Sequence, residues 1–377
     1  MQNTEAEYLN TNKSGGRTMN ESESLTKREK ILHLCEFSKG SCGVFNVAYN
    51  LAKEQVKRGH EVYIFSSRHI KGGGKGESGL APKYEELDGI KIFRFDVRIK
   101  FGENALFWDF KDKFFEIKPE IVYCHCYRHP HCESGLKYGK EINSKVFLIT
   151  HSPHVDRKLR GFKLHFLTKM YDFFFAVNLN KYSKVIATTT WEIPILKSLG
   201  CKEENIVHIP NGVDELFINS YNPTNKPSCG PNSIIFFGRN HPIKDIPTLE
   251  RACARIGATF DLVDNIPMNN IEEKIKALNS HRIFVLPSKR EAFPGALVEA
   301  MALGKLCISS RTQGAEMLIH DGNGFLFDVG DDKKLSQLIL DCCGMDEERE
   351  MFLKDAAHNT VKELTWSKIV DKLEAIR

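Results

Sequence analysis

The sequence predicts an α/β protein with two Rossmann-like doubly wound domains that face each other across a cleft. The chain has 377 residues, which exceeds the usual size of one domain. Short apolar runs typical of buried strands alternate with amphipathic helices, as in parallel-sheet proteins. This alternation stops at the Pro- and Gly-rich stretch 222–232 and then begins again. We therefore predict two domains with a linker around residues 211–232.

The predicted elements follow the same strand–helix order in both domains. In the first domain, a strand at 30–37, a helix at 44–59 ended by Gly59 and a strand at 60–67 form one βαβ unit. Further strands are predicted at 120–126, 145–150 and 184–189. In the second domain, strands are predicted at 233–239, 259–264, 283–288 and 306–310, with helices at 248–256, 271–278 and 294–303. Ligands of such sheets bind beyond the carboxyl ends of the strands, so the predicted site lies in the cleft.

Residues 1–29 are polar and are predicted to form a disordered tail. They lack the apolar segment of a signal peptide, so the protein is predicted to be cytoplasmic, and Met19 is an alternative start. Hydrophobic residues make up 41% and charged residues 27% of the chain, a balance typical of soluble globular proteins. No run reaches the roughly 18 apolar residues that a membrane-spanning helix needs.

The net charge of +4 is unevenly spread, because residues 1–210 carry 33 Lys and Arg against 25 Asp and Glu. No nucleic-acid partner is predicted. Eleven cysteines without a signal peptide indicate reduced thiols rather than disulfides. The patch YCHCYRHPHC suggests a metal site, but its spacing matches no familiar zinc motif, and its first residues are typical of a buried strand. We therefore predict no metal there, and no cofactor.

A dinucleotide site in the first βαβ unit is not supported. The turn Lys39–Gly43 does not match G-x-G-x-x-G, and the second strand ends at Arg68 without the acid that would bind a ribose. Gly40 and Gly43 still leave two interpretations of this turn. Either they allow a ligand phosphate to approach the helix N-terminus, or the turn is simply tight.

The segment REAFPGALVEA places two carboxylates on either side of a predicted helix start. Pro294 is favoured at the first helical position, so Glu291 precedes the helix and Glu299 lies within it. Eight helical positions span about 12 Å, comparable to a nucleoside diphosphate with a sugar. The positive end of the helix between the two acids favours a diphosphate. The alternative is that Glu299 is solvated and Glu291 only complements the helix dipole.

Two cations follow the first strand of the second domain. Arg239 ends the predicted strand and Lys244 lies five residues further on. This spacing allows both side chains to converge on a pyrophosphate from one loop.

At this point the sequence resembles the retaining GT-B glycosyltransferases of family 4, the glycosyl transferases group 1, from about Lys30 to the end. The matching segments are GSCGVFNVAYNLAKEQVKRGHEV, THSPH, IPNGVD, GRNHPIK, LPSKREAFPGALVEAMALGKLCISSRTQGAEMLIHDGNGFLF and WSKIVDKLEAIR. The resemblance implies an N-terminal acceptor-side domain at 30–212 and a nucleotide-sugar-binding domain at 213–364. It also implies a C-terminal helix at 365–377 that packs back on the first domain.

The resemblance assigns roles to particular residues. Arg239 and Lys244 are expected to bind the donor diphosphate, and Glu299 the nucleotide ribose. Glu291 is expected to contact the donor sugar near the reacting carbon. His151 matches the histidine beside the donor sugar and, with Glu291, Arg239 and Lys244, is expected to be catalytic. The remaining positions that match donor-binding residues are Gly43 in the closing loop, and Phe293, Pro294 and Gly295 at the helix start.

The sequence departs from the family pattern in three places. Cys42 precedes Gly43 where a glycine pair is usual, Pro294 stands where glycine is frequent, and no GDGP-like turn occurs near LVDNIP. Cys42 makes the backbone of the loop less free and Pro294 removes one amide donor, but we expect neither change to abolish binding. The family's scheme requires no metal, and no Asp-x-Asp pair is present to hold one.

We therefore predict a retaining, hexosyltransferase-type glycosyltransferase (EC 2.4) that uses a nucleotide-sugar donor and a glycan or lipid-linked acceptor. A nucleotide-sugar epimerase and a non-catalytic sugar-nucleotide-binding subunit are the alternatives. Residues 157–184 bear on the acceptor, because apolar residues at helical spacing are interleaved with Lys and Arg. This segment is either a core helix with a solvated basic face or a surface that meets anionic lipid at the inner face of a membrane.

Overall fold

The computed structural model describes residues 27–38, 43–70, 79–101, 105–151, 157–264, 266 and 270–377, and for 101, 105 and 157–164 it describes the backbone only. The predicted tail, apart from residues 27–29, lies outside the described residues. So do Cys42, the preceding loop residues 39–41 and part of the LVDNIP segment.

The first domain is built on an eight-stranded sheet in the order β10-β9-β8-β7-β1-β2-β4-β3. All neighbouring strands are parallel except β3 and β4, and β5 and β6 form a separate antiparallel hairpin. The strands are β1 (Lys30–Leu34), β2 (Glu61–Ser67), β3 (Tyr84–Leu87), β4 (Ile90–Phe95), β5 (Val97–Phe101), β6 (Ala105–Trp108), β7 (Ile121–His125), β8 (Lys145–Ile149), β9 (Lys184–Ala187) and β10 (Ile206–His208). The helices are α1 (Gly43–Lys57), α2 (Lys111–Ile117), α3 (Pro130–Glu141), α4 (Arg157–Phe175) and α5 (Glu192–Ser198).

The second domain contains a five-stranded parallel sheet in the order β12-β11-β13-β14-β15. Its strands are β11 (Ile234–Phe237), β12 (Asp261–Val263), β13 (Ile283–Leu286), β14 (Leu306–Ser310) and β15 (Phe325–Phe327). The remaining helices are α6 (Glu215–Asn219), α7 (Ile246–Ile256), α8 (Ile271–Asn279), α9 (Gly295–Ala302), α10 (Gln313–Glu316), α11 (Asp332–Cys343), α12 (Glu347–Val361) and α13 (Trp366–Glu374). The predicted fold class of two doubly wound α/β domains is confirmed.

The apolar side chains form two separate cores. One core extends from Val213 to Val361, and the other occupies the first domain. The first-domain core also contains Trp366, Ile369, Val370 and Leu373 of α13. The chain therefore returns to its first domain after completing the second.

The two passages of the chain between the domains lie side by side. Val213 donates its N–H to the carbonyl oxygen of Leu364 at 2.7 Å and accepts from the N–H of Trp366 at 3.2 Å. A Cβ on Gly212 would lie 2.7 Å from the Trp366 ring, so this position favours glycine because of close contact. The two segments that connect the domains are thus hydrogen-bonded to each other.

The helix that carries Glu299 is shorter than predicted. It spans Gly295–Ala302, whereas the sequence predicted Pro294–Leu303. Pro294 is the N-cap in an extended conformation, and its carbonyl accepts from Leu297 and Val298. Proline was expected inside the first turn, but here it ends the preceding loop. Gly304, with φ of 62°, follows the helix as predicted.

The interpretation of α4 as a core helix is wrong for its described part. The core-helix interpretation predicts that its apolar side chains are buried. In the structure they are exposed, and Phe173 is 83% exposed. The inward face is held by polar contacts instead. Asp172 is buried and binds Arg128 through two contacts of 2.7 and 2.8 Å, and Tyr171 donates to Glu133 at 2.7 Å. Of the predicted apolar positions, the side chain of Phe162 is not described.

Candidate active site

A cavity of about 430 Å³ lies between the two domains at the carboxyl ends of their strands. Gly43 and His151 line it from the first domain, following β1 and β8 in the chain. Arg239, Phe293 and Glu299 line it from the second domain. A parallel sheet gathers the loops after its strands at one edge, which is why residues distant in sequence meet here. Pockets of this size hold small-molecule ligands.

Arg239 follows β11 and contributes a half-buried guanidinium to the cavity. No acidic side chain among the described residues forms an ion pair with it. The planar guanidinium offers a positive charge and several N–H donors, which is the chemistry that suits a phosphate or carboxylate ligand.

Lys244 and Glu291, both predicted to act on the donor, contact each other. The Lys244 Nζ lies 2.6 Å from Oε1 of Glu291, and Ser288 donates its hydroxyl to the same oxygen at 2.6 Å. Both residues are largely buried, so the pair is charge-assisted and well shielded. Lys244 therefore positions Glu291, and a diphosphate at this edge would share the lysine with the acid.

The loop that carries Glu291 is fixed by a close backbone contact. Gly314 donates its N–H to the Glu291 carbonyl at 3.1 Å. A Cβ at Gly314 would lie 2.4 Å from the Ala292 oxygen, so only glycine allows α10 to approach this closely. The contact holds the segment from Glu291 to Gly295 at the start of α9, where helix N–H groups favour anions.

Glu299 lies on the cavity side of α9, and Lys274 of α8 lies 3.5 Å from its Oε1. Burial raises the pKa of Glu299, while Lys274 opposes that rise. Sequence reasoning missed Lys274. Its position in IEEKIKAL resembles that of any exposed helix lysine, and only the folded structure shows that it lines the cavity and contacts Glu299.

His151 lies at the end of a buried chain of hydrogen bonds. Its Nε2 is 2.9 Å from Nδ1 of His125, whose Nε2 is 2.9 Å from Nδ1 of His33. The chain ends at Oε1 of Gln55, 2.8 Å from Nε2 of His33. His151 itself adopts φ of 48°, a left-handed conformation that few residues take without need.

This chain fixes the tautomer of every ring, with the Gln55 carbonyl oxygen as its terminal acceptor. His33 donates to Gln55, His125 donates to His33, and His151 donates to His125. The remaining nitrogen of His151, Nδ1, is then a hydrogen-bond acceptor. Burial lowers the pKa of His151 to about 3 and that of His33 to about 4, so both rings are neutral at pH 7.

The remaining predicted site residues lie at two helix starts. Gly43 begins α1, and Gly295 begins α9; both line the cavity together with Phe293. A Cβ at either glycine would contact nothing within 4 Å, so backbone space alone does not demand glycine there. Pro294 directly precedes Gly295. The structure therefore brings Gly43, His151, Arg239, Phe293, Gly295 and Glu299 to one cavity, with Lys244, Glu291 and Pro294 in its adjoining loops.

Comparison with known proteins identifies the two halves of the chain separately. Residues 42–215 match the family described as Glycosyltransferase Family 4, and residues 256–359 match Glycosyl transferases group 1. A comparison with curated protein sequences finds no match.

Several solved structures share the fold. Sucrose-phosphate synthase from Thermosynechococcus elongatus is 15% identical with a TM-score of 0.68, over 93% of this chain and 98% of that one. A glycosyltransferase from Rickettsia africae is 16% identical, with a TM-score of 0.67 over 93% and 98% of the chains. Anabaena HepE, solved with UDP and glucose, is 17% identical, with a TM-score of 0.67 over 92% and 99%.

Two doubly wound domains around a cleft, shared with these solved structures, define a GT-B fold. With both family matches, the chain belongs to the family 4-like glycosyltransferases and is an enzyme of class EC 2.4.

Proposed function

We propose that the enzyme transfers a hexose from a nucleotide-sugar donor to a glycan or lipid-linked acceptor, with retention of anomeric configuration. The main support for this proposal is the cavity between the domains. Arg239, which has no acidic partner among the described residues, lines the same cavity as Glu299 and the start of α9. A bound diphosphate would pair with the Arg239 guanidinium and accept hydrogen bonds from the N–H groups at the start of α9. The ribose hydroxyls of the same nucleotide would lie near the Glu299 carboxylate.

The proposed chemistry is electrostatic. As the bond between the sugar and the diphosphate breaks, the sugar carbon becomes oxocarbenium-like and the leaving oxygen gains negative charge. Arg239 and Lys244 stabilise that oxygen, while Glu291 orients the sugar hydroxyls. The leaving phosphate accepts the proton of the attacking acceptor hydroxyl. This scheme requires no metal ion at the donor diphosphate, and no cofactor.

Anabaena HepE, solved with UDP-glucose and with UDP, supports a nucleotide-sugar donor and suggests UDP-glucose as the first probe. A thermal-shift panel of nucleotide sugars tests the proposal. At 100 times its dissociation constant, a ligand stabilises the folded protein by about 2.7 kcal/mol. The expected result is a raised melting temperature and slow hydrolysis of the same donor.

Two controls separate this proposal from its alternatives. An Arg239→Ala variant should lose both the shift and the hydrolysis. Epimerised donor in place of released nucleotide would identify an epimerase, and donor binding without any turnover would identify a non-catalytic subunit. Either outcome would overturn the transferase assignment.

We further propose that α4 brings the enzyme to an anionic membrane at its cytoplasmic face. No described helix is long and apolar enough to cross a membrane. The described large apolar residues that are exposed on α4 and the following turn are Phe166, Leu167, Met170, Phe173, Phe174, Phe175 and Val177. Contiguous exposed apolar surface of this kind is typical of interaction sites.

The charge of the segment fits the same surface. Residues 151–184 contain seven Lys and Arg against two Asp, and one of those acids, Asp172, is paired with Arg128. Each cation near an anionic leaflet contributes about 1 kcal/mol and the attraction decays within about one Debye length. Basic residues would provide the attraction, and the aromatic side chains would insert between the lipids.

Co-sedimentation with vesicles containing phosphatidylserine tests this surface. Wild type should bind at low salt and less at high salt, and the double variant Phe173→Ser, Phe174→Ser should bind several-fold less. Phe352→Ser is the matched control, because Phe352 is comparably exposed on α12 of the other domain. Equal binding by the double variant and the control would contradict the proposal, and so would no binding at low salt.

A further inference from the structure

A buried cluster of metal-ligand side chains lies in the first domain, outside the residues that line the cavity. Glu36 follows β1, His129 caps α3, and His131 lies in the first turn of α3. One ligand atom from each of the three lies within 4.8 Å of the other two. Both histidines belong to the patch YCHCYRHPHC, for which the sequence alone predicted no metal, and Glu36 comes from a distant part of the chain that the spacing of the patch does not show. From these residues we infer a binding site for one divalent transition-metal ion.

His131 provides the strongest observation. Its Nε2 donates to the backbone carbonyl of His125 at 2.9 Å. In the neutral ring, Nδ1 is therefore unprotonated and has a lone pair available. That Nδ1 is buried and has no hydrogen-bond partner among the described residues. Metal-binding histidines characteristically donate their second ring nitrogen to a carbonyl in this way, which fixes the ring for coordination.

Glu36 supplies the negative charge that a divalent ion requires. The side chain is buried, its Oε1 accepts the N–H of Leu106 at 2.9 Å, and its Oε2 contacts Nδ1 of His129. No Lys or Arg among the described residues pairs with this carboxylate. Burying a carboxylate without a full countercharge destabilises the fold. The carboxylate and the lone pair on His131 are both acceptors, so they cannot hydrogen-bond to each other. A cation between them would satisfy both.

The surrounding structure holds the three ligands in place. The carbonyl of Glu36 accepts from the N–H and hydroxyl of Ser67, and the ring of Trp108 stacks on His131 with centroids 5.8 Å apart. Two imidazoles and one carboxylate suit zinc and related ions, with bonds of about 2.0–2.2 Å and an open position for water or substrate. The ion would join β1, the β5–β6 hairpin and α3.

The second cluster of possible ligands provides a contrast. Cys229, Asp261 and His281 are also close together, but both ring nitrogens of His281 already have partners. Its Nε2 lies 2.8 Å from Asp261, and its Nδ1 lies 2.9 Å from the Ala277 carbonyl. Cys229 is exposed. This cluster is therefore a matched control rather than a second site.

The test is a Zn²⁺ titration of chelator-stripped full-length protein against a chromophoric chelator. Wild type should bind one equivalent, and its melting temperature should rise with Zn²⁺. Glu36→Gln keeps the acceptor for Leu106 but removes the charge, and His131→Phe keeps the ring against Trp108 but removes the ligand. Each should weaken binding by at least about 100-fold, beyond the usual loss from an outer-shell change. His281→Gln should bind as wild type does.

Binding that survives in Glu36→Gln and disappears in His281→Gln would overturn the proposal, as would no stoichiometric binding by wild type. If a variant does not fold, the absorption spectrum of the Co²⁺-loaded wild type decides. Nitrogen and oxygen ligands give no thiolate charge-transfer band, so such a band would assign the ion to cysteine and contradict the site. Because the readout is binding, failure here leaves the transferase proposal intact.

Discussion

Single residues of the active site divide into those that face the ligand and those that hold others in place. Arg239 lines the cavity without an acidic partner among the described residues, whereas Lys244 is paired with Glu291. Breaking a largely buried ion pair leaves one charge uncompensated. The two cations should therefore respond differently to mutation, although both were predicted to bind the diphosphate.

Replacing Arg239 or Lys244 with Ala should raise the barrier to turnover by roughly 2–4 kcal/mol, the scale for losing an oxyanion-stabilising donor. For Arg239→Ala the loss should appear with the fold intact. Lys244→Ala should also lower the melting temperature, because Glu291 loses its partner. Steady-state kinetics and thermal melting measure both effects. Wild-type turnover in the double variant would refute the assignment.

The two acids should be separable by binding. Glu291→Gln keeps the shape of the side chain but weakens its contact with Lys244 and with the sugar, so it should lower turnover more than nucleotide affinity. Glu299→Ala should mainly weaken binding of the free nucleoside diphosphate. Isothermal titration calorimetry with UDP, set beside turnover of the matching donor, tests this division. Equal loss of UDP affinity in both variants would show that the roles are misassigned.

The sequence places Arg239 at the end of a strand, Glu291 before a helix start and Glu299 within that helix, and ligand contacts concentrate at strand ends and helix starts. Lys274 could not be predicted in this way, since periodicity does not show which neighbour a helix packs against. The chain from His151 to His33 was equally hidden. It joins residues of three strands and their loops, and only the sheet order β8-β7-β1 brings them together.

At the scale of elements, strands and helices with strong periodicity were predicted within a few residues. The β5–β6 hairpin was not, although Gly102 and Asn104 between VRIKF and ALFW are residue types common in turns, because both segments are too short to show a clear strand periodicity. For α4 the pattern showed an apolar face but not what covers it. In the structure the anchoring face is the polar one, through Asp172 and Tyr171, and a hydrophobicity pattern does not predict that arrangement.

The approach of α10 to the loop before α9 gives an element-scale prediction. Gly314→Ala should destabilise the fold by about 1–3 kcal/mol, the usual cost of overpacking, because the new Cβ meets the Ala292 backbone. Turnover should fall further, since the same loop carries Glu291. Gly344→Ala is the control, because its Cβ would lie 3.6 Å from the nearest oxygen. Urea unfolding and kinetics of both variants test the prediction; equal behaviour would contradict it.

Acid sensitivity belongs to the whole molecule, because it depends on the difference between folded and unfolded states. Burial lowers the pKa values of His33, His125 and His151, so between about pH 6.5 and 4 the unfolded chain binds protons that the folded one does not. Stability should therefore fall as pH falls. At pH 5.5 each ring should cost roughly 1 kcal/mol relative to pH 7.5.

Urea unfolding at pH 7.5 and 5.5, at one ionic strength, measures this loss. The window lies above the titration of ordinary carboxylates, so histidines dominate it. Burial also lowers the pKa of His131 to about 4, so four rings together predict a decrease of roughly 4–5 kcal/mol in the free energy of unfolding. Equal stability at the two pH values would contradict the neutral histidine chain.

The paired crossings between the domains have a mechanical consequence. Two domains joined by one flexible linker can rotate and translate freely relative to each other. Two domains joined at two adjacent points rotate mainly about the line through those points, which then acts as a hinge axis. Val213 and the segment Leu364–Trp366 form such a pair of points. Opening and closing of the cleft between the domains is then a rotation about this single axis. Distances between spin labels placed across the cleft should change in fixed proportion when UDP binds, however far each label lies from the cavity.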